Sequence, residues 1–230
     1  MPRPPPTTTR PDTRRAPTAK PGPARRGGRP SRDAAEQLGE AILDAATELF
    51  LGDGYGVTSI EAVARRAGVS KRTFYSRFDD KAALFSAVVH RVVERLRPAN
   101  DAALFVGGSL EEILLRLARL ILQAALSPPA LALHRVILAE ATRFPELAAA
   151  VTERGGSGEA VSRIAALLER AEPGRTNAGF AAAQFLQMVV ALPQRRALGL
   201  GTPMTASELE DWAQGTVALF LDGWRGGARR

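Results

Sequence analysis

Residues 70–81 read Ser-Lys-Arg-Thr-Phe-Tyr-Ser-Arg-Phe-Asp-Asp-Lys. At helical spacing Phe74 and Phe78 share one side, which leaves Lys71, Arg72, Tyr75 and Ser76 on the outer arc. That arc suits an anionic partner rich in hydrogen-bonding groups. An arginine fork matches the O6 and N7 edge of guanine. The hydroxyls of Tyr75, Ser70 and Thr73 suit phosphate oxygens. Lys81 falls at the expected start of a further helix, where exposed N–H groups and the helix dipole add to its charge. Thr58 offers a hydroxyl at the expected start of the preceding helix. Taken singly, each residue has an ordinary reading: solvated charges for Lys71, Arg72 and Lys81, half-buried packing for Tyr75, helix caps for Thr58 and Ser70. A nucleic-acid reading depends on whether the surrounding elements hold these residues on one surface.

The flanking pattern is helical. Apolar residues at 42, 43, 46, 49 and 50 oppose Glu40, Asp44 and Glu48, which predicts a helix over about 33–51. Gly52, Gly54 and Gly56 follow it, with a left-handed glycine expected to end the helix. A phosphate-binding glycine loop should instead follow a strand, and this one follows a helix. Thr58 and Glu61 fit a capping box for a short helix over 58–66. Ala67-Gly68-Val69 is then a tight turn, Ser70 caps the next helix, and Asp80 caps a fourth that Pro98 stops. Helix, three-residue turn and short helix make a helix-turn-helix, with the helix after Ser70 as the recognition helix. Turn, caps, apolar spacing and basic outer arc coincide over about 40 residues, which is what favours DNA binding over the ordinary readings.

From residue 99 the pattern stays all-α. Leu110, Ile113, Leu114, Leu117, Ile121 and Ala124 form one stripe, and helices are predicted to follow Pro128-Pro129 and Pro145 and to cover about 159–171, 177–199 and 207–224. The fold class expected is therefore all-α. The organisation expected is an arm (1–32), a helix-turn-helix domain (33–80), a connecting helix (81–98) and a helical ligand-binding and dimerisation domain (99–230).

The same 230 residues exclude several chemistries. With no cysteine there is no disulfide framework, thiolate metal site or thiol nucleophile, and two histidines give little material for a metal centre. No nucleophile elbow, Walker loop, dinucleotide fingerprint or paired-histidine metal motif occurs. The expectation is a non-enzyme with no cofactor and no metal.

Residues 41–89 resemble the TetR family of transcriptional regulators. The resemblance runs through Ala41 to Phe50, Gly54-Tyr55, Thr58-Ser59-Ile60, Ile60 to Gly68, Val69-Ser70-Lys71, Thr73-Phe74-Tyr75, Phe78 and Lys81. It implies a homodimer on a palindromic double-stranded DNA operator, most often a repressor, that leaves the operator when a small molecule binds the C-terminal domain. Arg72 occupies a position that often holds a small residue in relatives, which makes it a candidate for this protein's own operator preference. Leu133 to Leu147 looks like the C-terminal domain of the AefR-like branch.

The net charge of +7 is located in the arm. Residues 1–32 hold nine of the 31 Lys/Arg and one of the 24 acids, and nine of the sixteen prolines. So proline-rich and basic a segment is expected to be disordered. A polyanion-binding arm and a solvated tail are both open readings of its charge. Arg25, Arg26 and Arg29 are its candidate DNA contacts, in a stretch that a second glycine spoils as a minor-groove AT-hook. If the arm binds, it should add affinity and salt dependence but little specificity. The arm has no apolar core of a secretory signal, and no run of 18 apolar residues occurs, so a cytoplasmic location and no membrane partner are expected.

An all-α body of this size can enclose an effector cavity. Candidate wall residues are Leu114, Leu117, Ile121, His134, Leu138, Phe144, Gln184, Phe185 and Met188, and ordinary core is the competing reading for each. Gln123, Gln184 and Gln187 either orient a largely apolar effector or face solvent. Leu209, Trp212, Thr216, Phe220 and Trp224 recur at helical spacing and are the candidate dimer interface, with packing inside the subunit as the alternative.

Overall fold

A computed structural model describes residues 1, 32–98, 104–154 and 156–226 of the chain. The arm, with Arg25, Arg26 and Arg29, lies outside the described residues apart from Met1 and Arg32, the first residue of the first helix. The elements are α1 (Arg32–Gly52), α2 (Ile60–Arg66), α3 (Lys71–Tyr75), α4 (Lys81–Leu96), α5 (Leu110–Ala125), α6 (Pro128–Glu140), α7 (Pro145–Arg154), α8 (Ser157–Ala171), α9 (Ala178–Ala197) and α10 (Ala206–Gly226). Among the described residues there is no strand.

Two apolar clusters organise these helices. One gathers Ile42 and Phe50 of α1, Phe74 of α3, and Leu84, Phe85 and Val88 of α4 around Tyr55. It also takes in Leu133 and Val136 of α6 and Leu147 and Ala150 of α7. The other joins α5, α8, α9 and α10 around Leu114, Leu168, Phe185 and Val217. So α6 and α7, which the sequence places in the C-terminal body, also complete the core of the N-terminal head. Arg91 of α4 ties α4 to α1 by pairing with Glu40 and Asp44.

Helix α9 carries Pro193 in its interior, where proline can donate nothing to the carbonyl four residues back. That carbonyl is Val189 O, and the Trp212 indole of α10 donates to it at 3.0 Å. An aromatic from the neighbouring helix thus satisfies the acceptor that proline leaves open. Trp212→Phe should cost about 1–3 kcal/mol in urea unfolding, because it strips a part-buried carbonyl of its donor. In a Pro193→Ala background the helix can supply its own N–H, so the same substitution should cost clearly less. Equal costs in both backgrounds would disprove this account of the pair.

Candidate nucleic-acid interface and effector cavity

The turn between α2 and α3 is built on Gly68, whose φ of +68° lies in the left-handed region that glycine enters without strain. Val69 N–H donates to Ala64 O at 2.9 Å and closes the turn. Ser70 is the N-cap of α3: its Oγ accepts from Thr73 N–H at 3.1 Å and lies 2.9 Å from the Thr73 hydroxyl. Phe74 is fully buried and Phe78 partly so. Lys71, Arg72, Tyr75 and Ser76 are all exposed on the outer arc, as the spacing predicts. Tyr75 is 51% exposed and meets Phe74 edge-on at 5.4 Å, so its ring direction is fixed while its hydroxyl stays accessible.

Lys71 is tied across the turn to Glu61 of α2, Nζ to Oε1, at 2.6 Å. The hydrogen bond between them raises the lysine pKa and lowers that of the glutamate. Arg72 makes no ion pair among the described residues, which leaves its guanidinium available to a ligand.

Two expected contacts are placed elsewhere. Thr58 is only 5% exposed and donates its hydroxyl to Gly54 O at 2.7 Å, so it braces the glycine turn from inside. The N-cap of α2 is Ser59, which accepts from Ala62 N–H at 3.1 Å. The capping box of Thr58 with Glu61 is therefore not formed, and Glu61 serves Lys71 instead. Lys81 opens α4 as expected, with Asp80 as N-cap, but its side chain turns away from the outer arc. Its Nζ sits 4.2 Å from the centroid of the buried Tyr55 ring and donates to Gly56 O at 3.4 Å. Burial there lowers the lysine pKa, against the opposing pull of Glu140 and Glu146.

An open cavity of about 420 Å³ lies between α4, α5, α6, α8 and α9. Of the nine expected wall residues, Leu117, Ile121 and His134 line it. The other six do not, and each has a packing reason. Leu114 and Phe185 are fully buried in the closed core of the second cluster, and Met188 packs against that cluster. Gln184 is exposed, as is Leu138 at 64%. Phe144 packs on Tyr55 at 5.1 Å in the junction between head and body. Gln123 faces solvent, whereas Gln187 is on the wall.

Sequence reasoning missed the contribution of α4, whose Val89, Val92, Val93 and Leu96 form one side of the cavity. It also missed Gln194, seven residues after Gln187 on α9. That spacing was the available signal, because it puts both amides on one face. Burial depresses the pKa of His134 below its ordinary value, which keeps the imidazole neutral at neutral pH. Arg97 and Arg163, at one end of the wall, both pair with Glu159, at 2.5 and 3.0 Å.

The expected dimer residues face inward. Thr216 and Phe220 are buried, Leu209, Trp212 and Trp224 pack against the second cluster, and Phe220 stacks on Trp224. Their helical spacing marks the inner face of α10. The outer face carries Gly215, Ala218, Leu219 and Asp222, with Leu219 66% exposed, and α9 carries the exposed aromatic Phe180.

A helix-turn-helix with an exposed basic and phenolic arc, held on a helical body, defines a DNA-binding regulator, and comparison with known proteins agrees. Residues 42–88 match the family described as bacterial regulatory proteins of the tetR family, and residues 112–225 match the AefR-like transcriptional repressor C-terminal domain. A TetR-family regulator from Mesorhizobium loti is 30% identical, with a TM-score of 0.69 over 82% of this chain and 97% of that one. The flavonoid-responsive regulator FrrA is 32% identical, with a TM-score of 0.67 over 83% and 97%. The chain belongs to the TetR family of transcriptional regulators, whose members bind DNA and are not enzymes.

Among curated relatives, the transcriptional activator FasR of Mycolicibacterium smegmatis is 42% identical over 72 residues, 31% of this chain and 32% of its own length. The repressor ComR of Escherichia coli is 37% identical over 66 residues, 29% and 31%. The chain thus spans about a third of the length of these two relatives. No single helix among the described residues is long and apolar enough to cross a membrane.

Proposed function

We propose that the protein is a homodimeric, effector-controlled repressor that binds a palindromic operator. Two α3 helices enter successive major grooves, with Ser70, Arg72, Thr73 and Tyr75 facing the duplex and Lys71 beside them. A small, largely apolar and uncharged effector occupies the cavity and releases the operator. The observation that carries this reading is that α4 joins the two sites. The helix begins immediately after the recognition unit and forms a wall of the cavity with Val89, Val92, Val93 and Leu96. A ligand that favours a different position of α4 changes the spacing of the two heads and weakens operator binding by linkage.

The apolar character of the effector follows from walls of valine, leucine and isoleucine, a neutral His134, and charges already paired at one end. FrrA, similar over most of its length, is described as flavonoid-responsive, which supports a flat aromatic molecule as effector. Repression rather than activation is supported by the match of the C-terminal half to a repressor domain. Dimerisation is assigned to the outer faces of α9 and α10, with Phe180 and Leu219 at the two-fold contact. A basic arm preceding the head adds phosphate contacts, and the protein acts in the cytoplasm.

Fluorescence anisotropy with the protein's own upstream DNA, at two stated salt concentrations, tests the reading. Wild-type protein should bind as a dimer by light scattering. Leu219→Glu should give monomers and lose about 10²–10⁴-fold in operator affinity, because the second half-site is no longer tethered to the first. A dimer that persists in Leu219→Glu would move the interface elsewhere. Wild-type affinity equal for upstream and unrelated DNA would remove the operator.

A further inference from the structure

We propose that the Gly56 peptide is where the cavity is read out to the DNA-binding head, with Glu140 as the positioning residue that transmits the state of α6. This rests on the reading of the cavity as an effector site. Gly56 is held through both of its backbone groups. Its N–H donates to Glu140 Oε2 at 2.6 Å, and its carbonyl accepts from Lys81 Nζ at 3.4 Å. Glu140 ends α6 and Lys81 opens α4. Both helices line the cavity, α6 with Leu133, His134 and Ile137 and α4 with Val89, Val92 and Val93. Ile137 lies about one helical turn before Glu140, so a ligand that displaces this wall displaces the carboxylate with it.

The turn is shaped around that carboxylate. A Cβ on Gly56 would lie 2.5 Å from Glu140 Oε2, and one on Gly54, at φ +104°, would lie 2.9 Å from Oε1. Two glycines flanking Tyr55 let the acid approach the backbone, a role that a phosphate loop would otherwise suggest for them. Tyr55 is buried between them and donates its hydroxyl to Glu146 Oε1 of α7 at 3.1 Å. The turn is also stiff within itself, because Thr58 donates its hydroxyl to Gly54 O at 2.7 Å and its N–H to Tyr55 O at 3.3 Å. Movement of Gly56 is therefore passed on to Ser59, the N-cap of α2, rather than absorbed. A carboxylate bonded to a backbone N–H is a charge-assisted contact, stronger than a neutral one and sensitive to small displacements.

The test measures coupling rather than binding alone. N-phenyl-1-naphthylamine, a neutral apolar dye, serves as cavity probe, with a duplex selected from a random pool by the wild-type protein. Operator affinity is measured with and without saturating dye for wild type, Glu140→Ala and Glu140→Gln. In the wild type the dye should weaken the duplex by about 5- to 150-fold, the usual range of coupling between sites. Glu140→Ala should bind dye as before but lose this effect, and Glu140→Gln, which keeps an oxygen acceptor for Gly56 N–H, should retain it. Coupling kept in Glu140→Ala, or lost equally in both variants, overturns the assignment of Glu140. A wild type whose operator affinity the dye leaves unchanged overturns the effector reading itself and this inference with it. A second measurement needs no variant: dye should speed hydrogen exchange of the Gly56 amide in the wild type at least about tenfold, and unchanged protection there also overturns the proposal.

Discussion

Replacing Phe85 by alanine should cost the protein about 3–5 kcal/mol of stability and abolish operator binding with it. Phe85 is fully buried on α4 and meets Phe50 of α1 at 5.5 Å and Tyr55 at 5.3 Å, both edge-on. Phe50 and Tyr55 are themselves 5.4 Å apart, and Tyr55 reaches Phe144 at 5.1 Å. The ring of Phe85 thus sits where α1, the glycine turn and α4 converge. Its removal leaves a void lined by rings that cannot all relax into it, so the lost contacts add to the lost transfer energy. Since domains are stable by only about 5–15 kcal/mol, the loss is a large fraction of the whole. The urea midpoint should fall. Tyr75→Ala is the control: that ring is half exposed on the outer arc, so its truncation should change stability by less than about 1 kcal/mol while weakening DNA binding. If Phe85→Ala lost no more stability than Tyr75→Ala, the aromatic cluster would not be the core of the head.

Sequence periodicity located this core because it is local. Phe74, Phe78 and the apolar positions of α1 and α4 declare their buried side by spacing alone, and all ten helices lie close to where apolar stripes and Gly or Pro breaks put them. What the sequence did not show depends on groups far apart in the chain. Thr58 and Ser59 both cap well, and the choice between them turns on whether Thr58 finds Gly54 O inside the turn. Lys81 reads as a phosphate ligand from its place at the start of α4, and the sequence does not show that the glycine turn sets Tyr55, and α6 and α7 set Glu140 and Glu146, around it. The stripe of Leu209 to Trp224 is a true apolar face, but periodicity cannot say whether such a face meets its own subunit or another. A capping box forms at Ser109 and Glu112 before α5, whereas the box that Thr58 and Glu61 suggest by spacing does not close. For the cavity, side chains facing a void and side chains facing a closed core share one hydrophobic signature, which is why Leu117 and Leu114 could not be told apart.

Charge was similarly local in what it revealed. The excess of +7 sits in the arm, while residues 33–98 hold nine basic and ten acidic groups. Net charge therefore does not mark the reading surface. In the proposed reading that surface is set by which cations remain unpaired on α3, and the ion pair of Lys71 with Glu61 separates two adjacent residues that look alike in sequence.

Arg72→Ala should relax discrimination at one base pair of each half-site by about 1–3 kcal/mol. Arg72 is the second residue of α3, in the turn of a recognition helix that comes nearest to base edges. Its neighbour Lys71 is tethered to Glu61, whereas Arg72 has no ion pair among the described residues and a planar fork able to take both guanine acceptors. The support beneath it is rigid, with Ser70 capping the helix and Phe74 buried two residues on, so the guanidinium is presented from a fixed base. Competition anisotropy against duplexes changed one base pair at a time reads the effect. The wild type should lose affinity steeply at one position, and Arg72→Ala should make that position indifferent while leaving the others as they were. Arg72→Lys should behave like the alanine variant at that position, because an ammonium cannot pair in the bidentate way. Lys71→Ala should instead lower affinity for all sequences alike and reduce the salt slope. If Arg72→Ala also weakened every duplex equally, Arg72 would be a phosphate contact, and operator choice would rest on other residues of α3 or on the deformability of the DNA.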